Sequence, residues 1–278
     1  MNRKDFLTTS GLAGAAMLMG AGNALAFRPP VPAPNAFPFE LGLASYTFRS
    51  FSLDETIDFA RRLGLKKLML KSMHLPLEAS PEEIKASVQK IKDAGMSVYG
   101  GGVIYMKTEQ EVDQAFEYAK NAGLEMIVGV PNHELLGLVE KKVKSYDIKV
   151  AIHNHGPGDK LYSSVHDIQA KIKNLDKRIG ICIDVGHVVR IKEDPAEMIL
   201  KYKDRLYDCH LKDADKAEAD GKAIEVGRGV IDIPKLLKTL IQVKYKGNLS
   251  LEYEKDGKDP LAGAAESVGY TRGVLKML

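Results

Sequence analysis

"ICIDVGHVVR" (181–190) is a short apolar run that ends in an acid. Ile181 and Ile183 are β-branched residues of the kind that a buried strand favours. Asp184 is a carboxylate, which is costly to bury without a partner, and a glycine and His187 follow it at once. The stretch therefore predicts a core strand whose C-terminal end carries polar groups for a purpose other than packing.

Seven further apolar runs recur along the chain and alternate with amphipathic helical patterns. They are "LGLASYTF" (41–48), "KKLMLKS" (66–72), "SVYGGGVIY" (97–105), "EMIVGV" (125–130), "KVAIHNH" (149–155), "YDCHLKD" (207–213) and "NLSLEYE" (248–254). One intervening helix, "SPEEIKASVQKIKDAG" (80–95), has an N-cap serine, proline at its first position and glycine past its end. Strand–helix alternation predicts a parallel sheet, and eight units in about 250 residues fit a single (β/α)₈ TIM barrel over residues 40–278.

A doubly wound open sheet is the alternative fold. Its usual mark is a glycine-rich turn after the first strand, and "ASYTFRSFS" (44–52) contains no glycine. "GGG" (100–102) lies inside a predicted strand rather than at the start of a helix. The pattern therefore favours the closed barrel.

The N-terminal segment 1–26 reads as a cleavable signal peptide. It has a basic start, an apolar stretch and a small-residue end, Ala24-Leu25-Ala26, and is too short to span a bilayer. Its start resembles a twin-arginine export signal, with Lys4 in place of the second arginine. We expect an exported protein, periplasmic or secreted, with no transmembrane domain in the mature chain. The alternative is a membrane-tethered N-terminal helix. A Pro-rich tether (27–39) follows.

Composition restricts the partners. The chain has 278 residues, of which 45% are apolar and 28% charged, and a net charge of +3. Nucleic-acid binding is not expected, because that function uses a clustered basic face and aromatic platforms, whereas this chain has no basic block and no tryptophan. The sequence is compatible with a homo-oligomer but does not decide the oligomeric state.

The two cysteines are expected to be buried and unpaired. Cys182 shares its strand face with Asp184, whereas Cys209 precedes His210 and points the opposite way. If Asp184 and His210 both face the barrel interior, one thiol faces inward and the other outward.

Polar side chains interrupt four consecutive strands at the same relative place. They are His153, Asp184, His210 and Glu252. Reactive groups of such a barrel lie at the C-terminal ends of its strands, so these four should converge at one mouth. Two imidazoles and two carboxylates suit a divalent metal such as Mn²⁺, Co²⁺ or Zn²⁺, with Mg²⁺ as a further candidate, and a cation would offset the buried charge.

Other residues near the same mouth are candidates for catalysis or substrate binding. His155 shares a face with His153, so it is the alternative metal ligand or a substrate contact. Candidate contacts to substrate hydroxyls, or simply solvated residues of the rim, are Tyr46, Lys71, His74 and His133. The turn "EVGRGVID" (225–232) is either a plain loop or a place where backbone N–H groups meet an anion.

Several motifs resemble the xylose isomerase-like barrel superfamily, the group of sugar phosphate isomerases and epimerases. They are "VAIHNHG" (150–156), "IDVGH" (183–187), "CHLKD" (209–213), "EVGRGVIDIPKLLKTL" (225–240) and "YKGNLSLEYE" (245–254). The resemblance implies that Asp184, His210 and Glu252 are metal ligands and that His187 contacts substrate. Many members carry glutamate where this chain has His153, which departs from the two-carboxylate pattern of ketose 3-epimerases.

Together with these residues, the resemblance implies a metal-dependent sugar isomerase or epimerase that acts through an enediolate on a keto- or aldo-sugar. Glu252 is the candidate base, and His155, His187 or Lys212 would return the proton. One alternative is a metal-dependent lyase or dehydratase on a keto-sugar or 3-keto-glycoside, which the histidine on strand five favours within the superfamily. Another is a non-catalytic sugar-binding barrel. The DNA-repair endonuclease branch, with three zinc ions, needs more histidine and glutamate ligands than are found here.

Overall fold

The computed structural model describes residues 37–278. The predicted signal peptide (1–26) and most of the predicted tether (27–39) lie outside the described residues. The last residues of that tether pack on the barrel: Phe39 is buried and its ring centroid lies 6.2 Å from that of Tyr245. Within the described part, no helix has the length and apolar character needed to cross a membrane.

Eight parallel strands form a closed barrel. They are β1 (Glu40–Ala44), β2 (Lys67–Leu70), β3 (Ser97–Met106), β4 (Met126–Pro131), β5 (Lys149–His153), β6 (Ile179–Asp184), β7 (Leu206–Leu211) and β8 (Asn248–Leu251). Each strand pairs with its neighbours in chain order, and β1 closes the ring by pairing with β8, with Leu43 opposite Leu251. The predicted eight-stranded barrel is confirmed.

Nine helices surround the strands in the described part of the chain. They are α1 (Leu53–Arg62), α2 (Pro81–Asp93), α3 (Glu109–Ala122), α4 (Leu136–Tyr146), α5 (Val165–Ile172), α6 (Val185–Arg190), α7 (Pro195–Tyr202), α8 (Ile233–Gln242) and α9 (Leu261–Leu275). The helices α1, α2 and α3 begin with capping boxes, in which a Ser or Thr and a Glu three residues later exchange hydrogen bonds with the backbone. At α2 the N-cap Ser80 and the following Pro81 are the start signals that the sequence predicted.

The sixth strand does not extend as far as His187. It ends at Asp184, because the Oδ1 atom of this residue accepts the backbone N–H of His187 and thereby begins α6. His187 therefore lies on a helix rather than on the strand end.

Side chains fill the barrel in two separate cores. Strand residues that point outward, such as Ile181 and Ile183, join the large core between the strands and the helices. Inward-pointing residues form a smaller core inside the barrel: Ala44, Met69, Tyr99, Met126, Val128, Ala151 and Cys182. Successive strand residues alternate between these two cores. At the C-terminal ends of the strands, the inward-pointing positions carry polar groups instead.

The cysteines are distributed as expected. Cys182 lies in the inner core and Cys209 in the outer core, and both are buried and free. Burial raises the pKa of both thiols, which keeps them protonated and unreactive.

We predict that Phe116→Ala lowers the free energy of unfolding by about 3–5 kcal/mol. Phe116 lies on α3 with no exposed surface, and its ring belongs to the outer core, so truncation leaves a cavity. Denaturant unfolding would measure the change. The control is Gln110→Ala on the exposed side of the same helix, which should stay within about 0.5 kcal/mol of the parent. A loss below about 1 kcal/mol for Phe116→Ala would contradict the assigned packing.

Candidate metal centre

Four polar side chains converge at the C-terminal mouth of the barrel. His153 and Asp184 are the last residues of β5 and β6, His210 lies near the end of β7, and Glu252 directly follows β8. All four are buried, and one ligand atom from each lies within 4.8 Å of the others. We call these four residues the ligand cluster. The barrel thus brings together residues that are separated by up to a hundred positions in the chain.

The distances in the cluster are short enough for shared coordination. Nε2 of His153 lies 3.5 Å from Oδ2 of Asp184 and 3.3 Å from Nδ1 of His210. Nδ1 of His210 lies 3.1 Å from Oε2 of Glu252. Oδ2 of Asp184 is fully buried and lies 2.9 Å from the ammonium of Lys212, but it forms no hydrogen bond of good geometry among the described residues. An acceptor left in this state is costly unless a cation lies beside it.

Lys212 provides a positive charge at the edge of the cluster. Its ammonium lies 2.9 Å from Oδ2 of Asp184 and 2.8 Å from Oε2 of Glu252. It also lies 3.1 Å from Glu254, a half-buried acid beyond β8. Glu252 therefore pairs with Lys212 and also faces the ligand cluster.

Both carboxylates of the cluster are held ionised. Burial opposes ionisation of Asp184, but the positive charges of His187 and Lys212 outweigh it, so the pKa of Asp184 lies well below its usual range. Burial likewise opposes ionisation of Glu252, yet Lys212 and His210 lower its pKa. Burial lowers the pKa of His187 itself to about 4. Burial also opposes the charged form of His210, but the acids Glu252 and Asp208 raise its pKa well above the usual value, so Lys212 and His210 are the charges that persist at neutral pH.

His153 is neutral at physiological pH. Burial, the largest cause, lowers its pKa to about 3 against the attraction of Asp184. A histidine must be neutral to bind a metal ion. With two imidazoles and two buried carboxylates directed at one centre, the residues fit a divalent cation of the Mn²⁺, Co²⁺ or Zn²⁺ type.

Asp184 has two structural roles. Its Oδ1 caps α6, while its Oδ2 faces the ligand cluster. The side chain of Asn154 fixes this strand end, because its Oδ1 accepts the N–H of Asp184 and its Nδ2 donates to the carbonyl of Asp184. The acid at the end of the apolar run is thus positioned from both sides.

His155 and His187 border the cluster. The ring centroid of His155 lies 4.7 Å from that of His153, and the ring of His187 lies 5.9 Å from both. The Nε2 atom of His155 is 3.0 Å from the hydroxyl of Tyr105, whose exposed ring stacks on it. Tyr105 was not among the sequence candidates, although its place near the end of the third predicted strand was a signal for it.

Lys71 belongs to the same mouth. Burial lowers its pKa, and its charged neighbours are Glu252, Lys212 and Glu254. Its ammonium donates to the carbonyl of Val103 at 3.0 Å and lies 5.6 Å from the ring centroid of Tyr46.

His74 and His133 are not brought into the cluster. The ring nitrogens of His74 are taken up by Ser45 at 2.9 Å and by Thr56 at 3.0 Å, and the side chain is buried. Nε2 of His133 lies 3.0 Å from the carbonyl oxygen of Leu161. Both histidines therefore link segments that lie 18 to 29 residues apart in the chain.

The turn 225–232 does collect backbone N–H groups around an anion, but the anion is part of the protein. Oδ2 of Asp213 accepts the N–H groups of Gly227 and Gly229 at 2.9 and 3.0 Å. Oδ1 accepts the N–H of Ile231 at 3.1 Å. The turn is therefore held against the end of β7 by a buried aspartate.

Curated relatives resemble part of the chain. An inosose dehydratase of Lacticaseibacillus casei is 24% identical over 131 residues, which cover 41% of this chain and 43% of that protein. An inosose dehydratase of Clostridium botulinum (strain Eklund 17B / Type B) is 27% identical over 127 residues, 40% of this chain and 42% of that protein. The chain thus matches less than half the length of these relatives.

Solved structures and a family description cover more of the chain. A protein from Parabacteroides distasonis ATCC 8503 superposes with a TM-score of 0.67 at 26% identity, covering 85% of this chain and 99% of that one. The structure of an L-ribulose 3-epimerase has a TM-score of 0.71 at 14% identity, covering 86% and 95%, and this likeness shows the fold alone. The description "Xylose isomerase-like TIM barrel" matches residues 52–274, so the chain belongs to the xylose isomerase-like TIM barrel family.

Proposed function

We propose that this protein is a metal-dependent sugar isomerase or epimerase-type enzyme that acts through an enediolate. The observation that carries the proposal is the buried ligand cluster of two histidines and two acids at the mouth of the barrel. Membership of an enzyme superfamily with sugar epimerases among its structural neighbours supports it. The substrate class is a keto- or aldo-sugar.

The chain's own residues supply base, charge and orientation. Glu252, whose lowered pKa keeps it ionised, removes the proton from the carbon beside the sugar carbonyl. The ammonium of Lys212 lies 2.8 Å from Glu252 and stabilises negative charge that develops on the neighbouring sugar oxygens. A divalent cation held by His153, Asp184, His210 and Glu252 would add Lewis-acid stabilisation of the enediolate.

The second proton transfer is assigned to the histidine side of the mouth. His155 and His187 lie beside His153, and neither belongs to the ligand cluster. Each is an imidazole, whereas Glu252 is a carboxylate. Because His153 occupies the strand-five position, the mouth does not place two carboxylates on opposite sides of the sugar as a two-base epimerase would. Return of the proton to the neighbouring carbon gives aldose–ketose isomerisation.

A lyase or dehydratase is the second candidate. Its support is the similarity of the chain to inosose dehydratases together with the histidines at strand five. Both reactions share the first proton removal, and elimination follows when a β-oxygen leaves instead of a proton returning. Export to the periplasm or beyond, which we propose from the N-terminal sequence, favours keto-sugars and keto-glycosides as substrates.

We predict about one divalent metal ion per chain and a loss of at least about tenfold in metal affinity for Asp184→Asn and Glu252→Gln. The asparagine can still cap α6 through its side-chain oxygen, so Asp184→Asn removes charge without removing the cap. Elemental analysis and titration of the purified protein would measure the effect. Asp204→Ala, an exposed acid away from the cluster, is the control and should bind as the parent does. Equal metal content in all four proteins would exclude the site.

We predict that deuterium from solvent enters a keto-sugar in the presence of the enzyme, and that His155→Gln and His187→Gln slow this exchange by about 10²–10⁴-fold if either returns the proton. Neither residue belongs to the ligand cluster, so metal content should be retained and should be checked in each variant. NMR of the product separates the reactions: a moved carbonyl indicates an isomerase, and an unsaturated sugar indicates a lyase. Saturable sugar binding without deuterium incorporation would instead identify a non-catalytic barrel.

A further inference from the structure

A second layer of polar side chains lies inside the barrel, beneath the ligand cluster. It contains Tyr99, Cys182, Asp208 and Ser250, none of which the proposed chemistry uses. Asp208 precedes His210 by two positions on β7, so both side chains point inward, with no exposed surface on either. A carboxylate deep in a barrel core serves no packing purpose that an apolar residue would not serve better.

Asp208 is surrounded by donors. The hydroxyl of Tyr99 donates to Oδ1 of Asp208 at 3.1 Å. The hydroxyl of Ser250 in turn lies 2.6 Å from that of Tyr99. The thiol of Cys182 donates to Oδ2 at 3.5 Å. The same Oδ2 lies 3.3 Å from Nε2 of His210. Three groups thus converge on one carboxylate, and one of them belongs to the ligand cluster.

The two nitrogens of His210 face different layers. Nδ1 faces the ligand cluster, 3.1 Å from Oε2 of Glu252 and 3.3 Å from Nε2 of His153. Nε2 faces Asp208 and is buried without a hydrogen bond of good geometry among the described residues. A histidine that binds a metal ion must be neutral, and it then carries its hydrogen on one nitrogen only. If Nε2 carries it, the hydrogen faces the carboxylate and the Nδ1 lone pair faces the cluster.

We propose that Asp208 is a positioning residue that holds His210 as the Nε2–H tautomer and directs its Nδ1 toward the metal. The inference rests on the proposed metal centre and assigns a role to a residue outside it. Carboxylates that accept the second N–H of a metal-binding histidine fix the orientation of the ring and make the ligand nitrogen more basic. Tyr99 and Cys182 hold the carboxylate in place, because each donates to a different oxygen.

The test is a Co²⁺ titration of the full-length protein followed by visible absorption, with Asp208→Asn and Ser250→Ala as a matched pair. Ser250 lies in the same layer and touches Tyr99 rather than the carboxylate. We expect Asp208→Asn to raise the Co²⁺ dissociation constant by about 10–100-fold and to change the d–d absorption bands. Ser250→Ala should leave the bands unchanged and the dissociation constant within about threefold of the parent, because the contact to His210 is intact.

The outcomes separate this inference from the proposed function. Absence of Co²⁺ binding by the parent protein would exclude the proposed metal centre itself. A parent that binds one Co²⁺ while Asp208→Asn binds it equally well, with the same spectrum, overturns only the role of Asp208. Equal weakening by Asp208→Asn and Ser250→Ala overturns it too, because the effect would then come from general loosening of the layer.

A measurement on the unmutated protein keeps the inference testable if Asp208→Asn does not fold. Long-range ¹⁵N–¹H correlation spectra of the Zn²⁺-loaded protein distinguish the two tautomers of each of the seven histidines. The His210 signals are identified by their loss in His210→Gln. We expect hydrogen on Nε2 and metal on Nδ1, and the opposite arrangement, or a second ion shared with Cys182, would overturn the assignment.

Discussion

The arrangement at the mouth depends on one electrostatic constraint: two carboxylates are buried side by side and require positive charge. Asp184 and Glu252 have almost no contact with water, and each would repel the other without a cation between or beside them. Lys212 meets part of this demand. A divalent ion held by both acids and the two histidines would supply the rest of the positive charge.

The barrel supplies this arrangement through strand parity and parallel direction. Inward and outward residues alternate, so Ile181 and Ile183 pack against helices while Cys182 packs inside. The same alternation directs Asp184 and His210 to the interior, where the C-terminal ends of neighbouring strands meet. A residue at the strand end is also adjacent to the next helix, which is why Asp184 both caps α6 and faces the cluster.

Much of the fold could be predicted because its signals are local. Apolar runs, capping boxes and glycines after helices are short-range features, and parity along single strands was enough to place both cysteines and the ligand cluster. The contacts that the sequence did not reveal join distant loops or layers. His74 has the residue type of a site histidine, but its partners Ser45 and Thr56 lie on other segments. Asp208 was not predicted as a site residue, because the role of a buried acid depends on the groups that surround it in space.

The turn after β7 is an anion-binding turn that the protein fills itself. Its backbone N–H groups form the kind of concave donor surface that proteins use to bind phosphate, yet Asp213 of the same chain already fills it. A phosphoryl group would have to compete with an internal carboxylate and would meet the like charge of that carboxylate at close range. The backbone N–H groups of Gly227, Gly229 and Ile231 are therefore already occupied and are not available to a phosphorylated ligand.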